Sequence, residues 1–363
     1  MEVETHEDPL GEGAPIEHLR EVLEKHVRPD GGKVLLLTHR TPDPDALGAL
    51  SGLAHLLRKA FELEPVVATV GQIFRAENLT MVRELDLYFE DYEELDPSDY
   101  QGVLLVDTQP SFGHTALPPG LPILAVFDHH QPPEDAEDVR ALHHDVRLGI
   151  GSTASIVYEY IRDAGVKLDQ PTATALACGV RFDTGDLSVN VAPLDEEAFF
   201  ETFRLADRQM LARIAHPPLP SSYYREVHRS LTRARRHGPL VFGLLGRVSN
   251  PESVAEMADF FLRMEGARWT FVGGEYKGQY HVSLRTDLTY ARAYPLMSRI
   301  LGGEGSFGGR GSVAGGQIAL ETVDDSVLRR LERRLRSRML ALVPPDELAD
   351  TDPRYGTRLT RLP

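Results

Sequence analysis

From residue 33 to 130 the chain alternates short aliphatic runs with polar corners. KVLLLTH leads into RTPDPD, GVLLVDTQ ends on Asp107 and its neighbours, and PILAVFDHH ends on Asp128, His129 and His130. Each run is continuously apolar instead of alternating, the pattern of strands buried on both faces of a parallel sheet. After the first corner, ALGALSGLAHLLRKAFEL repeats its apolar residues at helical spacing. Together these predict an α/β fold whose N-terminal part is a mainly parallel sheet flanked by helices. Ligands of such sheets bind beyond the carboxyl ends of the strands, so the three corners are expected to meet on one sheet edge.

Further along, GIGSTASIVYEYIRDAG opens a helix with the amides of Gly151, Ser152 and Thr153, which suit either an anion or ordinary capping. A helix in PTATALACGV and the polar RFDTGDLS follow, the latter carrying Asp183 and Asp186. HPPLPSS then separates the helical DEEAFFETFRLADRQMLARI from a second set of strands (GPLVFGLLG, ARWTFVGGEY, GQYHVSLRTD) and helices (SVAEMADFFLRM, VLRRLERRLRSRMLALV). The expected organisation is a flexible arm at 1–15, a catalytic domain at 16–215, a linker at 216–225, a smaller α/β domain at 226–345 and a tail at 346–363. A glycine-dense stretch, GGEGSFGGRGSVAGG, reads as a loop of the second domain.

Composition narrows the function. With 363 residues, 42% hydrophobic and 26% charged, the chain can bury sizeable cores. Lacking a span-length apolar stretch and a basic-then-apolar leader, it is expected to be cytoplasmic and free of membrane. One cysteine, Cys178 in TALACGV, rules out an internal disulfide or a cysteine-rich zinc site and reads as a small buried residue. A formal charge of −16 argues against coating nucleic acid through a broad basic face. It leaves an enzyme open, because bound cations add positive charge that the side chains do not show. The basic run RRLERRLRSR reads first as a solvated helix face.

Taken singly, the corners have plain explanations: Asp43 as the cap of the helix that begins near Ala46, Asp107 as the opener of a turn. Their combination does not. Carboxylates packed at one sheet edge cannot stay ionised together without cations. Imidazole and carboxylate without thiolate suit Mn²⁺, Mg²⁺, Fe²⁺ or Zn²⁺, and a set this large suits two ions roughly 3.5–4 Å apart. In HRTPDPD, Pro42 and Pro44 stiffen the loop so that Asp43 and Asp45 diverge.

HRTPDPDALGA, LLVDTQ, FDHH and RFDTGDLS, in that order, resemble the four motifs of the DHH phosphoesterase superfamily. The glycine stretch with the preceding VSLRTD is similar to the DHH-associated C-terminal domain of its nanoRNase and pAp phosphatase branch, and the resemblance runs from about Val34 to Leu320. It implies an active site in the cleft between the two domains and two divalent metal ions, manganese first and magnesium or another divalent ion as alternatives. One ion would be held by His39 and Asp43, the other by Asp45, His129 and Asp183, with Asp107 between them. It further implies His130 facing the substrate phosphate or leaving oxygen, Asp128 orienting a neighbouring histidine, and Arg285 contacting the nucleotide. Gly308, Gly309, Gly311 and Ser312 would lie against an anion. Arg310 stands where the family carries histidine, and Val313 and Gly316 also depart from the pattern, which puts the preferred ester in question.

The implied activity is hydrolysis of short RNA or DNA oligonucleotides to mononucleotides, with pAp and linear dinucleotides such as pApA as further small nucleotide phosphoesters. A RecJ-type single-strand exonuclease is the nearest alternative; such enzymes usually carry more binding domains. The lysine-rich phosphate clamp of a manganese inorganic pyrophosphatase is missing. A nucleotide sensor without hydrolysis is the alternative of another class, disfavoured by the complete ligand set. A homodimer is compatible with the sequence and not demanded by it.

Overall fold

A computed structural model describes residues 15–28, 32–113, 115–132, 139–287, 289–347 and 357–359, with the backbone alone at Arg310. The arm expected at 1–15 lies outside these residues except for Pro15, as does most of the tail expected at 346–363. The chain divides into two compact units, Met1–Pro217 and Pro218–Pro363. No helix among the described residues is long and apolar enough to cross a membrane.

In the first unit, β1 (Lys33–Leu37), β2 (Glu64–Thr69), β3 (Glu90–Asp91), β4 (Val103–Val106), β5 (Ile123–Asp128) and β6 (His143–Val146) form one sheet in the order β3-β2-β1-β4-β5-β6. Every pairing is parallel. The helices are α1 (Pro15–His26), α2 (Pro44–Ala60), α3 (Ala76–Glu84), α4 (Thr153–Asp163), α5 (Gln170–Asp183), α6 (Pro193–Leu205) and α7 (Arg208–Ala215). The apolar runs are explained by the two faces they serve. Leu36, Leu104 and Phe127 pack with Leu53, Leu57, Ile156 and Tyr160 of the helical layer. Leu35, Leu37, Leu105 and Val126 point the other way, under Tyr100, Leu117 and Leu121 from the connecting segments. Burying each of these leucines stabilises by about 1.5–3 kcal/mol. The strand order reverses between β1 and β4, so a crevice opens where their carboxyl ends diverge.

Helices α2 and α5 approach through Gly179, where a Cβ would lie 2.8 Å from the Ala154 Cβ and 3.1 Å from Asp45 Oδ1. That close approach carries the end of α5, and Asp183 with it, to the start of α2. The stretch expected as one helix from Asp195 to Ile214 is broken at Ala206–Asp207, where Asp207 caps α7 by accepting from the Gln209 and Met210 amides.

The second unit contains α8 (Ser221–Arg233), β7 (Arg235–His237), β8 (Leu240–Arg247), α9 (Glu252–Leu262), β9 (Trp269–Tyr276), β10 (Gln279–Thr286), α10 (Ala293–Leu301), β11 (Ser306–Arg310), β12 (Val313–Ala319), α11 (Asp325–Leu340) and β13 (Thr357–Arg358). Its sheet runs β11-β12-β10-β9-β8-β7-β13, antiparallel apart from the β8–β9 pair. Two expectations are corrected here. Residues 221–225, assigned to a linker, are the opening of α8, because Pro220 followed by serines is also a helix-start signal and Val227 and Leu231 supply an apolar face. The glycine stretch is a hairpin and not an open loop: Gly308 pairs with Gly315, Gly309 with Ala314 and Arg310 with Val313. A Cβ on Gly309 would sit 2.5 Å from the Val313 carbonyl oxygen, so glycine serves strand packing at that position.

Candidate metal centre

Each donor is placed by a strand end or a helix end. Asp43 is the N-cap of α2, its Oδ1 accepting from the amides of Asp45 at 3.0 Å and Ala46 at 3.1 Å. Pro44 follows at the first helical position, where no amide is needed. Asp45 is fully buried, and its carboxylate accepts from the amides of Thr153 at 2.7 Å and Ala154 at 2.9 Å. The start of α4 therefore does face an anion, but that anion is an aspartate of the same chain, stabilised by the positive end of the helix. Ser152 supplies the ordinary cap through the Ser155 amide.

Asp107 follows β4 with φ at 56°, the left-handed region that an Asp enters more readily than most residues. Thr153 Oγ1 donates to its Oδ1 at 2.9 Å. Strained backbone of this kind clusters at functional sites. At the end of β5, buried Asp128 accepts from the His129 amide at 2.8 Å, the His130 amide at 3.2 Å and His130 Nδ1 at 2.8 Å. Gln109 Nε2 completes the arrangement, donating to Asp128 Oδ2 and to the His130 carbonyl, both at 2.7 Å.

The structure brings together His39, Asp43, Asp45, Asp107, His129, His130 and Asp183. Three sets of donor atoms lie within 4.8 Å of one another: His39, Asp43 and Asp107; Asp45, His129 and Asp183; and Asp107, His129 and His130. Asp107 lies between the sets, with Oδ2 3.5 Å from His39 Nε2 and Oδ1 3.8 Å from His129 Nε2 and 3.5 Å from His130 Nδ1.

One atom tests whether a cation fits. His129 Nδ1 is 3.1 Å from the Ile150 carbonyl oxygen and must donate to it, which leaves Nε2 as the lone-pair nitrogen of a neutral ring. Nε2 is buried without an aligned hydrogen bond, although Asp183 Oδ2 lies 3.2 Å away and Asp45 Oδ2 3.9 Å. A lone pair ringed by carboxylate oxygens is repulsive unless a proton or a cation sits between them. Nitrogen and oxygen donors without sulfur suit a divalent ion of the Mn²⁺ and Mg²⁺ type.

Without such an ion, protons take its place. Burial, then the charges on Asp107 and Asp183, hold Asp45 well above the ordinary carboxylate range, and burial and Asp43 do the same to Asp107. Burial likewise raises Asp183. Burial opposes a charged His129, but Asp183, Asp45 and Asp107 outweigh it and push the ring up to about 10. All of these groups bind protons more tightly folded than unfolded. The stability they contribute to metal-free protein is therefore full below the ordinary carboxylate range and is lost as pH rises toward 10. Protein stripped with a chelator is expected to melt at least about 3 °C higher at pH 5.5 than at pH 8, roughly 1 kcal/mol. Added Mn²⁺ should remove that difference, which scanning calorimetry reads directly. A stripped protein less stable at the lower pH contradicts this electrostatic account.

The remaining residues singled out in the sequence belong to the second unit. Arg285 on β10 is held by Asp259, with Nε 2.5 Å from Oδ1, and donates to Ser283 Oγ at 2.6 Å. The hairpin that carries Gly308, Gly309, Gly311 and Ser312 spends backbone carbonyls internally: Ser312 accepts from Thr286 and Gly311 from Ala293. Asp186, which had no assigned role, pairs with Arg181. Gln109 was not singled out in the sequence, and Thr153 only for its amide. Gln109 stands two positions after Asp107 in VDTQ, and the Thr153 hydroxyl reaches Asp107 across 46 positions, which only the fold reveals.

Residues 33–180 match the DHH family, N-terminal domain. The chain is similar to an uncharacterized protein of Methanocaldococcus jannaschii, 29% identical over 88% of this chain and 66% of that protein, so it spans slightly less than two-thirds of that relative's length. Among solved structures, an exopolyphosphatase-related protein from Bacteroides fragilis superposes with a TM-score of 0.68 at 16% identity, covering 90% of this chain and 97% of that one. RecJ from Thermus thermophilus, solved in complex with Mn²⁺, superposes with a TM-score of 0.50 at 15% identity over 93% of this chain and 57% of RecJ. These likenesses show a shared α/β fold with a parallel-sheet unit and a second mixed-sheet unit.

Proposed function

We propose that the protein is a metal-dependent phosphoesterase that hydrolyses short oligonucleotides and small nucleotide phosphoesters such as pAp or pApA. The observation that carries this reading is the buried lone pair of His129 Nε2 among Asp45, Asp107 and Asp183. His39 and Asp43 would hold one divalent ion, Asp45, His129 and Asp183 a second, and Asp107 would touch both. Bound ions of this type supply Lewis acidity, lowering the pKa of a nucleophilic water and neutralising the non-bridging oxygens of the phosphate under attack. Manganese is the expected ion, in keeping with the Mn²⁺ of the RecJ structure.

The chain's own groups do the rest. Asp128, locked by Gln109, fixes the orientation of His130 through Nδ1 and leaves Nε2 facing outward from the cluster. Burial opposes charge on His130, but Asp128 and Asp107 outweigh it and raise the ring in the metal-free protein. The role assigned to Nε2 is to pass a proton to the departing sugar oxygen. His130→Gln is expected to lower kcat by about 10²-fold or more while bound metal stays constant. Loss of metal from that variant, read by elemental analysis, would move His130 into the ligand set.

The second unit is assigned substrate selection, with Arg285 released from Asp259 to meet a terminal phosphate. The formal charge of −16 favours substrates with few phosphates over long strands. Incubation with Mn²⁺ and pAp, pApA, a labelled five-mer, a long single strand and pyrophosphate tests the reading. Release from the first three supports it, preference for the long strand supports a RecJ-type exonuclease, and no release from any substrate supports a binding protein.

A further inference from the structure

The second unit carries a half-open cavity of about 710 Å³ between α8, the β7–β8 pair and α11, within the size range of small-ligand sites. Eight arginines and two carboxylates line it, in a chain whose formal charge is −16. Helix α11 shows how the sequence builds this wall. Leu328, Leu331, Leu335 and Met339 are buried, and Arg329, Arg333 and Arg336, at i, i+4 and i+7, share the stripe beside them.

Some of the positive charge is already used. Arg229 Nη1 donates to the Arg247 carbonyl at 2.9 Å, the Arg233 guanidinium to the Leu245 carbonyl, and Arg247 lies 3.3 Å from Asp325 and 3.7 Å from Glu275. Arg329 and Arg333 have neither a carboxylate nor a hydrogen-bond partner among the described residues. Glu332 does not offset them: its Oε1 turns inward to the Gly246 amide at 3.0 Å and the Tyr280 hydroxyl at 3.1 Å. Leu244, Leu245 and Leu328 add an apolar lining. Converging guanidinium groups recognise phosphate through paired N–H donors, and an apolar lining suits a base.

We propose that this cavity binds an anion with several clustered phosphates, in the first place a nucleoside polyphosphate, contacted directly by Arg329 and Arg333. The site is formed within the second unit alone and does not depend on the reading of the metal centre.

The test is calorimetric titration of the full-length protein with adenosine triphosphate, inorganic tripolyphosphate, adenosine and a five-nucleotide strand. Parent, Arg333→Glu and Arg330→Glu are compared. Arg330 lies on the same exposed helix, hydrogen-bonds Ser326 Oγ at 3.1 Å and does not line the cavity, so both variants change the charge equally. Binding at the metal centre is common to all three proteins and cancels in the comparison. Arg333→Glu is expected to weaken triphosphate and tripolyphosphate binding at least about tenfold, with Arg330→Glu within about twofold of the parent and adenosine alone not binding. A five-mer that binds more tightly than the triphosphate, with the same dependence on Arg333, supports clustered phosphate recognition and identifies a phosphodiester run as the source. Equal affinity in parent and Arg333→Glu, equal weakening by both variants, or no saturable binding of any phosphate at about 1 mM overturns the proposal. Arg329→Gln, which removes charge without reversing it, is the second variant should Arg333→Glu fail to fold.

Discussion

Asp107→Asn is expected to lower phosphoester turnover by at least about 10³-fold, roughly 4 kcal/mol of transition-state stabilisation, while leaving the fold intact. The size of the effect follows from position: Asp107 contributes donor atoms both to the set with His39 and Asp43 and to the set with His129 and His130. The choice of asparagine follows from the backbone. At φ 56° most side chains are strained, whereas asparagine tolerates the left-handed region as aspartate does, so the substitution removes charge without adding strain. Its amide still offers Oδ1 to the Thr153 hydroxyl. Elemental analysis should show less metal than in the parent. Parent-level turnover with full metal content would remove Asp107 from the centre.

The second large effect combines stability with chemistry. Asp45→Ala deprives two buried amides, Thr153 and Ala154, of their acceptor, at about 1–3 kcal/mol for each group left unsatisfied. It also removes one of the three donors of the Asp45, His129 and Asp183 set. In the presence of Mn²⁺ the variant should lose about 2–4 kcal/mol of unfolding free energy and nearly all activity. Asp45→Asn, which keeps one acceptor oxygen, should lose the activity with a smaller part of the stability. Urea melts of both variants beside the parent decide the matter. If Asp45→Ala unfolds at the parent's midpoint, the carboxylate does not tie α2 to α4 as the structure indicates.

How much of this was legible in the sequence depends on the range of the interaction. The corners after β1, β4 and β5 were readable because continuous apolar runs such as VLLL and ILAVF signal buried parallel strands, and residues that follow such strands share an edge. Asp43 as a cap was readable from its place beside Pro44. The partner of the α4 amides was not: Asp45 lies 108 positions from Thr153, and nothing local announces that contact. Nor was the left-handed φ of Asp107, which has no signature in VDTQ. Asp183 was visible as an acid in RFDTGD but reads locally as part of a polar segment, whereas it ends α5 and is brought in by the close approach at Gly179.

The glycine hairpin shows the reverse error. Glycine suggests loop by composition, yet here Gly309 permits two strands to close at a point where a side chain would meet the Val313 carbonyl. Similarly, PPLPSS suggested a hinge through Ser222 and beyond, although proline and serine equally favour the first turn of a helix, and α8 begins at Ser221.

Acidic and imidazole groups are proposed to coexist at this sheet edge because divalent cations lie among them. A crystal structure of protein grown with Mn²⁺, with data collected at the manganese absorption edge, tests it most directly. Two anomalous peaks are expected roughly 3.5–4 Å apart, one against His39 and Asp43, the other against Asp45, His129 and Asp183, with Asp107 touching both. The absence of any peak within reach of His129 Nε2, with the carboxylates gathered as here, would contradict it.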